Sequence, residues 1–119
     1  MKTESIISAK SFLFALKVIK TYQTINQTHK EFILSKQLLR SGTSIGANVA
    51  EGLAAFSRKD FEFKISLAYK EARETVYWLK LLEASHLIEL EIFDELILDL
   101  EELQRLLGST FVTLRKNQK

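Results

Sequence analysis

Apolar residues recur along most of the chain at alternating steps of three and four positions, which is the spacing of one face of an α-helix. The pattern is clearest in the middle of the chain, at Phe61, Ile65, Ala68, Ala72, Thr75, Leu79 and Leu82. Ser57 precedes Asp60 by three residues, which is the spacing of a helix capping box. The sequence therefore predicts a long helix from about Arg58 to Ala84.

The same periodicity predicts three further helices. The first extends from about Glu4 to Ile25, with an expected inner stripe of Phe12, Ala15, Ile19 and Tyr22. The second carries on one side Leu34, Leu38, Gly42, Ile45, Val49 and Gly52. The last begins at about Glu89 with an apolar stripe of Phe93, Leu96, Leu100, Leu103, Leu107, Phe111 and Leu114. Its charged side contains Asp94, Glu95, Glu101, Glu102 and Arg105.

The predicted breaks between helices are the segments NQTHK, FSRK and SHLIE, each only a few residues long. Such short connections make consecutive helices antiparallel neighbours. The chain has no proline and no internal repeat, and its 119 residues fit one domain. We therefore predict an all-α fold in which residues 1–119 form a single, antiparallel, up-down-up-down four-helix bundle.

Two glycines, Gly42 and Gly46, fall inside the second predicted helix. Each glycine costs a helix about 1 kcal/mol relative to alanine, so its presence needs an offsetting reason. No strand precedes them, as a phosphate-binding loop would require. The sequence therefore favours close packing against a neighbouring helix over a ligand cradle.

A polar row runs beside these glycines on the same helix: Gln37, Arg40, Ser44, Asn48 and Glu51. A solvated helix face accounts for such a row equally well. The alternative is that Asn48 and Glu51 satisfy polar groups across a buried contact, where a complete network is specific and a broken one costly.

Two helices carry a second apolar side. It comprises Ile7, Phe14, Val18 and Ile25 on the first helix, and Phe63, Leu67, Trp78 and Leu81 on the third. Large exposed apolar patches are uncommon on monomers, so we predict a subunit interface containing Phe14, Val18, Phe63, Leu67, Glu74, Trp78 and Leu81. Glu74 would need a partner from the adjacent chain, for which Arg40 is a plausible donor. The alternative is that the aromatic side chains lie over the edge of their own bundle.

Charge is distributed unevenly although the net charge is only +2. Residues 1–60 hold nine basic and four acidic groups, a balance of +5, whereas residues 61–119 hold eight basic and eleven acidic groups, a balance of −3. Such asymmetry is compatible with an anionic partner, although solvated lysines are the commoner explanation. The candidate nucleic-acid-binding residues are Lys10, Lys17, Lys20, Lys36, Arg40, Arg58 and Lys59.

Enzymatic and metal chemistry find little support in the sequence. There is no cysteine, which excludes disulfides and thiolate chemistry. Glu83 and His86 form one E-x-x-H pair, whereas a di-iron bundle needs two such pairs and further carboxylates. We expect no enzyme activity, no cofactor and no metal. No signal-peptide pattern or membrane-spanning segment is evident, so a cytoplasmic protein is expected.

The segment SIGANVAEG, Ser44 to Gly52, is followed by SRKDFEFKISLAYKEARETVYWLKLLEAS, Ser57 to Ser85. Together they resemble the four-helix bundle family encoded in intervening sequences of bacterial 23S ribosomal RNA genes, and the resemblance covers nearly the whole chain. Many members have Pro then Ser where this chain has Gly46 and Ala47.

The resemblance implies a left-handed four-helix bundle that assembles as a homopentamer. The chain is also similar to the accessory protein of diversity-generating retroelements, which assists a reverse transcriptase and contacts nucleic acid. No activity is established for the intervening-sequence members themselves.

Two functional hypotheses follow. In the first, an oligomeric scaffold binds structured RNA or another nucleic acid through its basic residues. In the second, the protein is an interaction hub that docks a partner such as a polymerase, without direct nucleic-acid contact.

Overall fold

The computed structural model describes residues 2–117, with side chains described over residues 3–110. It contains four helices: α1 (Lys2–His29), α2 (Leu34–Leu53), α3 (Arg58–Ala84) and α4 (Leu90–Asn117). No strand occurs in residues 2–117, so the all-α prediction is confirmed. None of these helices, over the residues described, is long and apolar enough to cross a membrane.

Contacts between neighbouring helices establish their directions. From α1 to α4, Lys10 pairs with Glu102 and Lys17 with Asp99, so the partner number falls as the α1 number rises. Between α2 and α3, the ion pairs Arg40–Glu71 and Glu51–Lys64 show the same reversal. The α1–α2 pair is reversed as well, because Gly42 lies beside Val18 and Gly46 beside Ser11. α1 and α3 each pack on α2 and α4 and stand diagonally opposite, as in an up-down-up-down bundle. The left-handed turn of the bundle stays a prediction.

The corners of the bundle are fixed by hydrogen bonds to helix ends. As predicted, Ser57 caps α3, and its Oγ accepts from the Asp60 N–H at 3.0 Å. The α1–α2 corner has a cap that the sequence pattern did not predict. There the Glu31 carboxylate accepts from the backbone N–H groups of Ile33, Leu34 and Ser35 at 2.9–3.0 Å. One side chain thus satisfies three amides that the start of α2 would leave unpaired.

The core confirms the predicted inner stripes of α2 and α3, and that of α4 as far as its side chains are described. Its fully buried members include Leu38, Ile45 and Val49 of α2, Ile65, Ala72 and Leu79 of α3, and Leu96, Leu100, Leu103 and Leu107 of α4. Phe111 and Leu114, also predicted for the α4 stripe, lie outside the described side chains.

The prediction for α1 was wrong about which face is inside. Phe14 and Val18 are buried within the single chain, at 1% and 0% exposure, whereas Phe12 is 64% exposed. Leu16 and Ile19 also lie at the surface. Phe14 and Val18 therefore cannot belong to the predicted subunit interface. Both faces of α1 are apolar, so periodicity alone could not choose between them.

Packing against α2 explains which face of α1 is buried. A methyl group in place of the Gly42 hydrogen would stand 2.8 Å from Cγ2 of Val18, and one at Gly46 would stand 3.3 Å from the Ser11 carbonyl oxygen. The face of α1 with Ser11 and Val18 is therefore the one that fits the glycine side of α2. This confirms that Gly42 and Gly46 permit close helix packing. Gly52 is also buried, with Cβ of Lys64 3.1 Å from where its own Cβ would be.

Candidate interaction surfaces

The basic residues of α1 face the acidic side of α4. Lys10 pairs with Glu102 at 3.2 Å, and Lys17 pairs with Glu95 at 2.6 Å and Asp99 at 2.8 Å. Hydrogen bonds to Asp99 and Glu95 raise the pKa of Lys17 above its ordinary value, although slight burial opposes the shift. The opposite charge balances of the two halves of the sequence thus partly neutralise each other in space.

Arg40 lies at the centre of a polar cluster on the α2–α3 surface. Its guanidinium donates to Gln37 at 3.3 Å, to Glu71 at 3.1 Å, and to Glu74. Glu74 also accepts from the indole Nε1–H of Trp78 at 2.9 Å. The Arg40–Glu74 pair was predicted to join adjacent chains, but it forms within one chain because α2 and α3 are direct neighbours.

The remaining members of the polar row have separate roles. Asn48 donates to the Ser44 carbonyl of its own helix at 2.8 Å, and Glu51 forms a surface ion pair with Lys64 at 2.6 Å. The described side chains therefore do not show the buried contact of Asn48 and Glu51, which was the alternative to a solvated face. The buried polar contact between α2 and α3 instead joins the Thr75 and Ser41 hydroxyls at 2.9 Å. Thr75 was predicted only as a member of the inner stripe of the third helix, and Ser41 was not singled out, since small residues in a helical stripe resemble ordinary core positions.

The other candidate nucleic-acid-binding residues lie in two places. Lys20 and Lys36 are exposed in the half of the bundle where α1 ends and α2 begins. Arg58 and Lys59 are exposed at the opposite end, in the first turn of α3. Lys20, Lys36 and Lys59 make no ion pair with any side chain in the described part of the protein, whereas Arg58 has a partner. The seven predicted residues therefore do not form one continuous surface.

Two apolar faces point away from the core. The α1 outer face comprises the exposed side chains Ile6, Phe12, Leu13, Leu16 and Ile19. The α3 outer face comprises the exposed Phe63 and Tyr77 and the half-buried Leu67, Trp78 and Leu81. Trp78 meets Tyr77 edge to face at 5.2 Å between ring centroids, and it also packs against the core. Because α1 and α3 are diagonal, these faces lie on opposite sides of the bundle.

A recess of about 790 Å³ opens at the end of the bundle where α1 ends and α4 begins. Both histidines, His29 and His86, line it together with Glu83. His86 lies beyond the end of α3 with φ of 61°, so the E-x-x-H spacing does not place it on a helical face with Glu83. Over the described residues, no three His, Cys, Asp or Glu side chains are grouped so that they could hold a metal ion.

Comparison with protein families matches residues 3–109 to the 23S rRNA-intervening sequence protein family. The chain belongs to this family. It is also similar to the crystal structure of a protein of unknown function of the S23 ribosomal protein family from Bacteroides thetaiotaomicron, with a TM-score of 0.90 and 42% identity. The match covers 92% of this chain and 97% of that one. Comparison with curated proteins gives no match. The family assignment agrees with the resemblance carried by residues 44–52 and 57–85.

Proposed function

We propose that this member of the 23S rRNA-intervening sequence family is a non-enzymatic, self-associating scaffold that binds structured RNA. The observation that carries the self-association is the α1 outer face, which presents five large apolar side chains to solvent. Contiguous patches of this kind on soluble proteins mark interaction sites. A second copy of the chain is the proposed partner.

Assembly would join unlike faces. The α1 outer face of one copy would cover the α3 outer face of the next, so Phe63, Leu67, Trp78 and Leu81 remain in the proposed interface. Each large side chain withdrawn from water contributes about 2 kcal/mol, so several such contacts per copy can stabilise a ring. Head-to-tail contacts close into a ring when the rotation between copies allows it. A pentamer is the closure that the resemblance implies.

RNA contact would use the lysines that no carboxylate neutralises. Lys20, Lys36 and Lys59 are exposed and make no ion pair with described side chains, in contrast to Lys10 and Lys17. Repetition around a ring would multiply a modest charge on each copy. Phosphate contacts release counterions, so binding should weaken steeply as salt is raised.

The test is binding of an RNA hairpin with a single-stranded loop, measured over a series of salt concentrations. Replacing Lys20, Lys36 and Lys59 with Gln should reduce the slope of log affinity against log salt by about one for each phosphate that the variant no longer neutralises. Lys10→Gln with Lys17→Gln is the matched control, because those lysines already pair with α4. No binding by the parent at low salt, or equal weakening in both variants, would contradict the proposed RNA contacts of these lysines.

A second candidate function, a protein-interaction hub, is favoured by the outward side of α4. Glu91, Asp94 and Glu101 make no ion pair or side-chain hydrogen bond with described residues, and Leu98 between them is exposed. Such a surface suits a basic partner, for example a polymerase that itself holds nucleic acid. A parent protein that binds no RNA would favour this second function over the first.

A further inference from the structure

Phe56, at the α2–α3 corner, is the most exposed large apolar side chain of the described residues, with a relative exposure of 105%. Its neighbours in the corner, Ala54 and Ala55, are too small to cover a phenyl ring. A side chain this exposed contributes nothing to the core. Single exposed apolar side chains are common on proteins, so the backbone and the charges of the corner decide whether Phe56 has a partner.

A loose backbone does not explain the exposure of Phe56, because hydrogen bonds fix the backbone of the corner on both sides of this residue. The Ala54 and Ala55 N–H groups donate to the carbonyl oxygens of Ala50 and Gly52 at 3.3 and 3.1 Å. On the other side, the Phe61 N–H donates to the Ser57 carbonyl at 3.1 Å and the Asp60 N–H to Ser57 Oγ at 3.0 Å. Phe56 is thus presented outward by an ordered turn.

The charges around the ring indicate the kind of partner. Arg58 and Lys59 follow Phe56 by two and three residues, and both are exposed. Arg58 has a partner and the exposed Asp60 comes next, so Lys59, which makes no ion pair with described side chains, is the cation available to a ligand. An aromatic ring beside cationic groups is the combination with which proteins bind unpaired nucleotides, by base stacking and phosphate contact.

We propose that Phe56 is a stacking platform for unpaired nucleic-acid bases, with Lys59 contacting the adjoining phosphate. This inference rests on the proposed RNA-binding function and narrows it to the unpaired part of the ligand. A blunt duplex offers no free base face along its length, so it should engage the lysines without engaging Phe56.

The first experiment measures fluorescence anisotropy of labelled single-stranded RNA, single-stranded DNA and a blunt RNA duplex with the full chain. Phe56→Ala should weaken binding of the single strands roughly 5- to 150-fold, the range for one stacked base, and leave duplex binding nearly unchanged. Phe56→Tyr should restore single-strand binding, because the aromatic face is kept. Phe32→Ala is the matched control, since Phe32 is another exposed phenylalanine at a helix corner, 50% exposed and at the opposite end.

The outcomes separate this inference from the function on which it rests. If the parent binds RNA and Phe56→Ala binds single strands equally well, stacking is refuted while the RNA-binding function stands. If the parent binds neither RNA nor DNA, both are refuted. A Phe56→Ala variant whose molecular mass by light scattering falls below that of the parent would assign Phe56 to a protein contact instead and also refute stacking.

Phe56→Trp gives a direct readout, because it adds a tryptophan at the proposed stacking position. The one tryptophan of the parent, Trp78, lies on the α3 outer face. Stacking on a base should quench the added fluorescence when the single strand binds, whereas the parent should change little. Quenching that is equal for the single strand and the blunt duplex would contradict the assignment.

Discussion

α1 packs against α2 and against α4 in two different ways. Against α2 the backbones approach closely, with Gly42 beside Val18 and Gly46 beside the Ser11 carbonyl. Against α4 the contact at the surface is made by long side chains, Lys10 and Lys17, that reach across to carboxylates. Recesses of about 410 and 370 Å³ remain along this second seam.

One helix is thus held by two kinds of interaction that respond differently to change. Tightly packed interiors respond strongly to a change of even one methylene group, whatever the salt concentration. Exposed ion pairs typically contribute only about 0 to 1 kcal/mol and are screened by salt. We therefore expect substitutions at the α1–α2 seam to have much larger effects than substitutions at the α1–α4 seam.

The largest change in the free energy of unfolding is expected for a substitution at Gly42. Gly42→Leu should lower the free energy of unfolding by about 1 to 3 kcal/mol through overpacking, because Val18 is β-branched and stiff and cannot yield its space easily. Urea unfolding monitored by circular dichroism measures the change. A variant as stable as the parent would show that Gly42 is not closely packed.

Gly108 provides the matched control for the packing argument. Beyond its chain neighbours and the backbone of its own helix, no described atom lies within 4 Å of where a Cβ would stand at Gly108, although it too is inside a helix. Gly108→Ala should therefore stabilise the protein by about 1 kcal/mol through helix propensity alone. Gly46→Ala should fall between the two, since the Ser11 carbonyl is 3.3 Å away.

The next largest change in the free energy of unfolding is expected at Glu31, which caps the start of α2 at the α1–α2 corner. Burial opposes ionisation of Glu31, but hydrogen bonds from the Leu34, Ser35 and Ile33 amides and from the Ser35 hydroxyl lower its pKa below 4.5 overall. Glu31→Ala should cost about 0.5 to 2 kcal/mol at neutral pH, as loss of other helix caps does. Urea unfolding of both proteins at neutral and at acid pH measures the difference.

The sign of the pH effect follows from the lowered pKa of Glu31. Its stabilising contribution is present above pH 4.5 and disappears as pH falls through the folded-state pKa. The difference in unfolding free energy between parent and Glu31→Ala should therefore shrink in acid. A difference that stayed constant with pH would show that the carboxylate charge is not what stabilises the corner.

The smallest effect is expected at the α1–α4 seam. Lys17→Met should lower the free energy of unfolding by less than about 1 kcal/mol at low salt, and by less still at high salt. Because the pKa of Lys17 is raised, its contribution is present below pH 10.5 and is lost as pH rises through the folded-state pKa. Unfolding at two salt concentrations tests the prediction, and a destabilisation independent of salt would assign Lys17 a packing role.

The sequence predicted the helices well because each of them has an apolar stripe at helical spacing. α3 also has a second apolar side, but its stripe from Ile65 to Leu82 is the more regular of the two, and the structure buries it. For α1 the sequence offered two apolar faces, and only the shape of α2 at Gly42 and Gly46 distinguishes them. Periodicity records how often apolar residues recur, whereas the fit between two helices depends on both partners.

The interaction surfaces were harder to predict for the same reason. Lys17 was a candidate for phosphate contact and Arg40 also for a pair with an adjacent chain, but the fold brings carboxylates from α4 and α3 of the same chain to them. The exposure of Phe56 could not be predicted either, since a phenylalanine in the predicted break FSRK could equally pack inward. When a side chain contacts a neighbouring helix, its role cannot be assigned from the sequence of its own helix alone.

The central claim is that the α1 outer face joins copies of the chain, and light scattering tests it most directly. Phe12→Glu places a charge on that face, whereas Leu98→Glu places one at an equally exposed position on α4, 65% against 64%. We expect a parent with the mass of several subunits, a folded Phe12→Glu monomer, and a Leu98→Glu variant that assembles like the parent. A parent that remains monomeric at micromolar concentration, or a Phe12→Glu variant that still assembles fully, would contradict the claim.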